Sequence, residues 1–193
     1  NINNDYINYI YYANGIWVAL GDAGVYYSED GYKWTASGIN PGCSTPYKPI
    51  YNANGIWIIG GRQGLYYSTD GKTWTKSNIT SGNFYIVYNA NGIWVTGTSY
   101  INSKGLYYSL DGKTWTQSNI TSGSFTSVYY ANGIWVADNY YSTDGKTWTQ
   151  SNITNGSIRN IYYGNSIWVA GSGGNGLYYS TDGKTWTQSN ITS

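Results

Sequence analysis

Five of the nine carboxyl side chains in this sequence recur in one phrase, Tyr-Tyr-Ser-x-Asp-Gly-x-x-Trp, with Asp at 30, 70, 111, 144 and 182. A carboxylate placed once per repeat is a candidate cation ligand or acid–base group. The same carboxylate next to Gly has a simpler use: it accepts main-chain N–H bonds from the residues that follow, while Gly takes the left-handed position of the turn. Asp30, Asp70, Asp111, Asp144 and Asp182 are therefore read as structural. Outside the phrase stand Asp5, Asp22, Glu29 and Asp138, with Arg62 and Arg159 as the two arginines. Histidine is absent and Cys43 is the only cysteine. That excludes His-based catalysis, an intrachain disulfide and a Cys/His metal centre. Neither a metal nor an organic cofactor is implied.

These side chains must be positioned by a repeated element. The Asp spacings are 40, 41, 33 and 38 residues, and a second phrase, Ile-Trp-Val/Ile, places Trp at 17, 57, 94, 135 and 168. Ten Trp thus form five pairs, and five repeats account for the whole chain. Within each repeat, a Tyr-rich apolar run ends in Asn-Gly at 14, 54, 91 and 132, or in Asn165-Ser166. Asn-Gly between two β-rich runs signals a hairpin, because both central residues of a type I′ turn need φ > 0. Ile-Trp-Val follows, then a loop, then Leu-Tyr-Tyr-Ser, the Asp-Gly turn and Lys-Thr-Trp-Thr. Four short antiparallel strands recurring every ~40 residues predict an all-β fold, a five-bladed β-propeller with four antiparallel strands per blade. The expected domain is residues 1–193, with blades at approximately 1–38, 39–78, 79–119, 120–152 and 153–193. The paired Trp are expected to fill the space between blades.

Composition agrees. With 24 Tyr, 10 Trp, 26 Gly and no Met, the chain is neither a helical bundle nor acid-rich disorder. Ten Lys and Arg against nine Asp and Glu give a net charge of +1. Without a basic excess, no nucleic-acid partner is expected. No apolar run approaches the ~18 residues of a membrane span, so no membrane insertion is expected, and no signal peptide is visible. The first residue is Asn1, which fits a domain processed or excised from a longer polypeptide or assembly. Five Asn-x-Ser/Thr sequons occur, at Asn78, Asn119, Asn152, Asn155 and Asn190. Four share one repeat position, so they read as part of the repeat grammar before they read as glycosylation sites.

Ser68-Thr69-Asp70-Gly71-Lys72-Thr73-Trp74 and its copies resemble the Asp-box of bacterial-neuraminidase-type repeats, Ser-x-Asp-x-Gly-x-Thr-Trp. Here the segment between Asp and Gly is one residue shorter in every copy, and Lys33 stands where the family prefers Thr. The resemblance implies a propeller with the box on the hairpin between third and fourth strands, away from the active site. It also raises a glycosidase as an alternative. A sialidase of that family uses three arginines and this chain has two. Other glycosidases need two carboxyls about 5–9.5 Å apart, and the few outside the boxes are scattered. A non-enzymatic protein is expected. Tachylectin-type lectins offer a five-bladed analogy of fold, although their blade sequences differ.

The Asn-Gly and Asp-Gly turns are nearly fixed among the five copies. The loop between second and third strands varies, and so does the connector into each blade. In an up-down-up-down blade these two variable segments emerge on the same face, where a rigid scaffold would present ligand-binding side chains. The candidate binding residues there are Asp22, Tyr47, Lys48, Arg62, Tyr85, Tyr100, Asn102 and Arg159. The expectation is a carbohydrate-binding, lectin-like domain, or the receptor-binding head of an extracellular or viral adhesin, with a glycan or cell-surface receptor as partner. A purely structural decoration domain is the alternative. An extracellular or virion-surface location goes with the adhesin reading.

Overall fold

The computed structural model describes residues 5–42, 49–99, 104–153 and 157–191. The chain is a five-bladed β-propeller, each blade a four-stranded antiparallel sheet in sequential strand order. Blade 1 holds β1 (Ile7–Ala13), β2 (Ile16–Gly21), β3 (Val25–Ser28) and β4 (Thr35–Ala36). Blade 2 holds β5 (Ile50–Ala53), β6 (Ile56–Gly61), β7 (Gly64–Ser68) and β8 (Thr75–Lys76). Blade 3 holds β9 (Phe84–Ala90), β10 (Ile93–Thr98), β11 (Leu106–Ser109) and β12 (Thr116–Gln117). Blade 4 holds β13 (Val128–Ala131), β14 (Ile134–Ala137), β15 (Tyr140–Ser142) and β16 (Thr149–Gln150). Blade 5 holds β17 (Ser157–Gly164), β18 (Ile167–Gly173), β19 (Gly176–Ser180) and β20 (Thr187–Gln188).

The turns form as their residues dictate. Asn14 and Gly15 have φ of 48° and 79°, and the other Asn-Gly pairs repeat this. In blade 5, Ser166 takes the second position at φ 62°. In every Asp-Gly turn one carboxylate oxygen gathers two main-chain N–H groups: Asp70 Oδ1 accepts from Lys72 N and Thr73 N, both at 2.8 Å, and from Ser68 Oγ at 2.8 Å. All five carboxyls are held below their usual range. For Asp30 and Asp182 the main-chain bonds dominate. For Asp70, Asp111 and Asp144 burial is the largest single influence and works upward, but the combined hydrogen bonds outweigh it.

Blades pack face to face, and the register is the same in each: the strand-two Trp lies opposite the Ser of the Asp-Gly turn, as in Trp57↔Ser68 and Trp135↔Ser142. Trp57, Trp94, Trp135 and Trp168 are at most 2 % exposed, each in the junction with the preceding blade. A Trp of this kind buries roughly 150–250 Å². At about 25 cal/mol per Å² that is about 4–6 kcal/mol before ordering costs. Three further parts recur at the junctions. The Gly of each later Asp-Gly turn approaches an Ile of the preceding blade, as Gly145 does Ile93. A Lys of the later blade lies over a Tyr of the earlier one, in the pairs Lys72–Tyr27, Lys113–Tyr67, Lys146–Tyr108 and Lys184–Tyr141. Finally, the sequon Asn clasps the next blade: Asn119 Oδ1 accepts from Trp148 N and its Nδ2 donates to Trp148 O, both at 2.8 Å. Asn78 and Asn152 do the same to Trp115 and Trp186. The repeat position read as grammar is therefore a two-bond clamp between neighbours.

Four junctions join five blades, and two faces are left over. On the blade 1 side, Ile10 is 51 % and Trp17 37 % exposed, whereas the equivalents Ile50, Val87, Val128 and Ile161 are at most 8 %. On the blade 5 side, Val169 is 42 % exposed against 0–1 % for Val18, Ile58, Val95 and Val136.

Candidate functional site

Strand one of each blade lines the axis, and each contributes a Tyr at the same register. Successive rings touch: Tyr11–Tyr51 at 6.1 Å, Tyr51–Tyr88 at 5.4 Å, Tyr88–Tyr129 at 5.8 Å and Tyr129–Tyr162 at 5.5 Å between centroids. The strand-two Trp of the next blade closes edge-on against each of the first four, as Trp135 does against Tyr88 at 6.0 Å and 88°. The first four rings are held by these neighbours as an aromatic wall, and Tyr162 at its end is 67 % exposed.

A cleft of about 410 Å³ opens along this wall, lined by Tyr51, Tyr88, Tyr129 and Tyr162 together with Thr126, Ser127, Arg159, Asn160 and apolar strand-one residues. Burial, with the neighbouring Tyr51 and Tyr129, pushes the Tyr88 hydroxyl up to about 12. Burial raises Tyr51 as well. Both therefore stay protonated as hydrogen-bond donors at neutral pH.

The rim is set by a β-bulge. The ladder shifts register between Ile158 and Asn160, so Arg159 is the extra residue, and Asn8 and Tyr85 are the extra residues in blades 1 and 3. A bulge re-aims one side chain, and here the re-aimed residue differs from blade to blade. Asn8 Nδ2 donates to Asp22 Oδ1 at 2.7 Å, while the Asp22 carbonyl accepts from Asn40 Nδ2 at 3.1 Å. Arg62 Nε donates to Tyr85 Oη at 3.2 Å. Arg159, exposed beside Gly173, has no hydrogen bond or ion pair among the described residues.

The eight residues expected from the variable loops thus meet different fates. Tyr47, Lys48, Tyr100 and Asn102 lie outside the described residues. Asp22 and the Arg62–Tyr85 pair sit at other junctions of the same face, away from the cleft. Tyr85 is not a stacking surface: it is 1 % exposed, with its hydroxyl bonded to Arg62. Of the four described, only Arg159 lines the cleft. Sequence reasoning missed the axial tyrosines Tyr51, Tyr88, Tyr129 and Tyr162. The signal available was a Tyr five residues before every Ile-Trp-Val/Ile, hidden among the other recurrent Tyr.

No Asp or Glu lines the cleft, but one stands behind it. Asp138, in the contracted loop of blade 4 at φ 45°, accepts from Ser127 N at 3.0 Å, Ser127 Oγ at 3.1 Å and Thr126 N at 3.3 Å. Burial, outweighing these bonds, pushes its carboxyl up to about 7. It braces the connector that carries Thr126 and Ser127. A smaller depression of about 260 Å³ on the opposite edge holds Glu29 and Asp30. Glu29 is paired with Lys72, and Asp30 is occupied by its turn. Among the described residues no cluster of three or more His, Cys, Asp or Glu forms.

No family model matches the chain, and no curated protein does. Solved structures do. An ancestral GH74 enzyme superposes with a TM-score of 0.72 at 15 % identity, covering 95 % of this chain and 31 % of that one. The computationally designed Ika8 protein gives 0.66 at 11 %, over 95 % and 60 %. The WD40 β-propeller domain of Doa1 gives 0.58 at 12 %, over 91 % and 65 %. At these identities the likeness is one of fold, and it is to β-propellers. The chain spans less than two thirds of the length of each of these three.

Proposed function

We propose that this propeller is a carbohydrate-binding module of the Asp-box repeat type and that sugars bind in the tyrosine-lined axial cleft. The observation that carries the reading is the cleft itself: packed Tyr faces, with Thr126, Ser127, Asn160 and an uncommitted Arg159 at one end. Pyranose rings offer apolar C–H faces to aromatic walls and hydroxyls to fixed polar groups. The guanidinium of Arg159 presents a planar fork suited to a vicinal diol or a sugar carboxylate. A binding role also fits presentation on the head of a surface adhesin.

The test is a glycan-array screen of the protein beside Arg159→Ala and Tyr162→Ala, followed by calorimetry on any hit. Selective binding weakened at least about tenfold by either variant, a loss of about 1.4 kcal/mol, supports the cleft. Binding that both variants retain keeps the lectin and moves the site to the Asp22 or Arg62 junctions. Absence of binding to every glycan favours a structural role.

A further inference from the structure

Each blade junction has a direction. The earlier blade supplies an Ile at the start of its second strand, a Tyr on its third and, in three of four cases, the clasping Asn. The later blade supplies the Trp, the Asp-Gly turn and the main chain that the Asn grips. Blade 5 displays an earlier half that no described residue of another blade covers. Val169 and Tyr179 are exposed, and Asn190 makes no side-chain hydrogen bond among the described residues. Blade 1 displays a later half in the same condition. Ile10 and Trp17 are exposed, and Trp34 is half-buried where Trp115, Trp148 and Trp186 are buried. At the position of the stacking Lys it carries Tyr32, 91 % exposed.

We propose that these two faces are the halves of one docking interface and that they meet between copies of the chain, head to tail. Continuity with the four junctions already in the molecule identifies the occupant: what fits blade 5 is an Asp-Gly turn with its Trp, and blade 1 offers that arrangement. Within one chain the two faces are exposed at the same time, so blade 1 does not cover its own blade 5. In the docked pair Asn190 grips the main chain of Trp34 on the next copy, and Tyr32 lies against Tyr179 in the place of a Lys. Of the ten large apolar side chains exposed on the described surface, nine belong to blades 1 and 5, and Leu110 is the tenth. Exposed apolar side chains confined to the two end blades mark those blades as interaction surfaces. A heterologous contact of this kind builds rings or open filaments, depending on the rotation per copy.

Sedimentation velocity across about 1–100 μM tests this, because head-to-tail association is governed by mass action. The wild-type chain, 21.4 kDa, is expected to gain mass with concentration. Val169→Glu blocks only the blade 5 face and Ile10→Glu only the blade 1 face, and both positions face solvent in the single chain. Each variant alone is expected to stay monomeric, with the melting temperature of the dilute, unassociated wild type. Mixed, they are expected to form a dimer and nothing larger, since each retains the half that the other lacks. Tyr32→Lys is expected to tighten wild-type association by restoring the stacking cation over Tyr179. A wild-type chain monomeric at every concentration overturns the proposal. So does association that survives in either single variant, or a mixture that stays monomeric.

Discussion

Asn119→Ala removes both bonds of one clasp, 2.8 Å each, and leaves the N–H and carbonyl of Trp148 without those partners in a part-buried position. Two hydrogen bonds at about 1 kcal/mol each, plus the residual cost of unpaired main-chain groups, give a loss of about 2–3 kcal/mol. For a chain of this size that lowers the melting temperature by about 4–10 °C. The assay is a thermal melt and a urea titration, with Asn190→Ala as the internal control. Asn190 occupies the same repeat position and makes no side-chain hydrogen bond among the described residues, so in melts dilute enough to keep the chain monomeric its replacement is expected to move stability by less than about 0.5 kcal/mol. Asn78→Ala and Asn152→Ala are expected to follow Asn119→Ala. The reasoning fails if Asn119→Ala melts with the wild type, or if Asn190→Ala costs as much as the other three.

Gly145→Ala and Gly133→Ala both force a side chain onto positive φ, 69° and 77°, but a Cβ at 145 meets Ile93 and Trp135 at 3.1 Å while one at 133 meets nothing within 4 Å. Gly133→Ala is expected to cost about 1–2 kcal/mol and Gly145→Ala about 1–3 kcal/mol more, read from urea midpoints. The Asp138 carboxyl, raised by burial to about 7 from the ordinary carboxylate range, binds its proton more tightly folded than unfolded. Its contribution to stability is therefore present below pH ~4 and lost as pH rises to ~7, about 4 kcal/mol at most. Asp138→Asn is expected to flatten that slope in melts taken from pH 4 to 8. The five lowered carboxyls of the Asp-Gly turns act oppositely, so acid below pH ~4 destabilises wild type and Asp138→Asn alike. Arg159→Ala is expected to weaken sugar binding in calorimetry and leave the melting temperature unchanged, because the guanidinium makes no bond that folding uses.

What was legible in the sequence is what local chemistry decides. Asn14-Gly15 demanded two positive φ angles and has them, and each Asp before Gly organises the turn it belongs to. The strand count and the inter-blade Trp followed from period and pairing. The less legible features depend on neighbours far along the chain. Asn119 and Trp148 are 29 residues apart, and nothing in Ser-Asn-Ile-Thr states which main chain the Asn will grip. Tyr88 looks like any other strand Tyr until blades 2 and 4 bring Tyr51 and Tyr129 to its two sides. In the sequence Asp138 is only a carboxyl outside the repeated phrase, in the contracted loop of blade 4. Contraction of that loop buries it against the connector at 126–127. Of the described candidates on the variable face, Arg159 is the one that a bulge aims into the space along the aromatic wall, and its sequence neighbours do not announce that bulge.

The clasp is not distributed evenly. Between blades 1 and 2 its place is taken by Gly38, and that junction has instead the exposed Lys72–Glu29 pair, which contributes little in water. Blade 5, at the other end, is held by both bonds from Asn152. In an array where each unit touches only its neighbours, opening proceeds inward from the weaker terminus. Of the four junctions, the one between blades 1 and 2 is therefore the least secured. Amide exchange should be fastest in β1–β4 and slow toward the middle blades, and a protease should trim the chain from its N-terminal side while the axial wall of blades 2–5 persists.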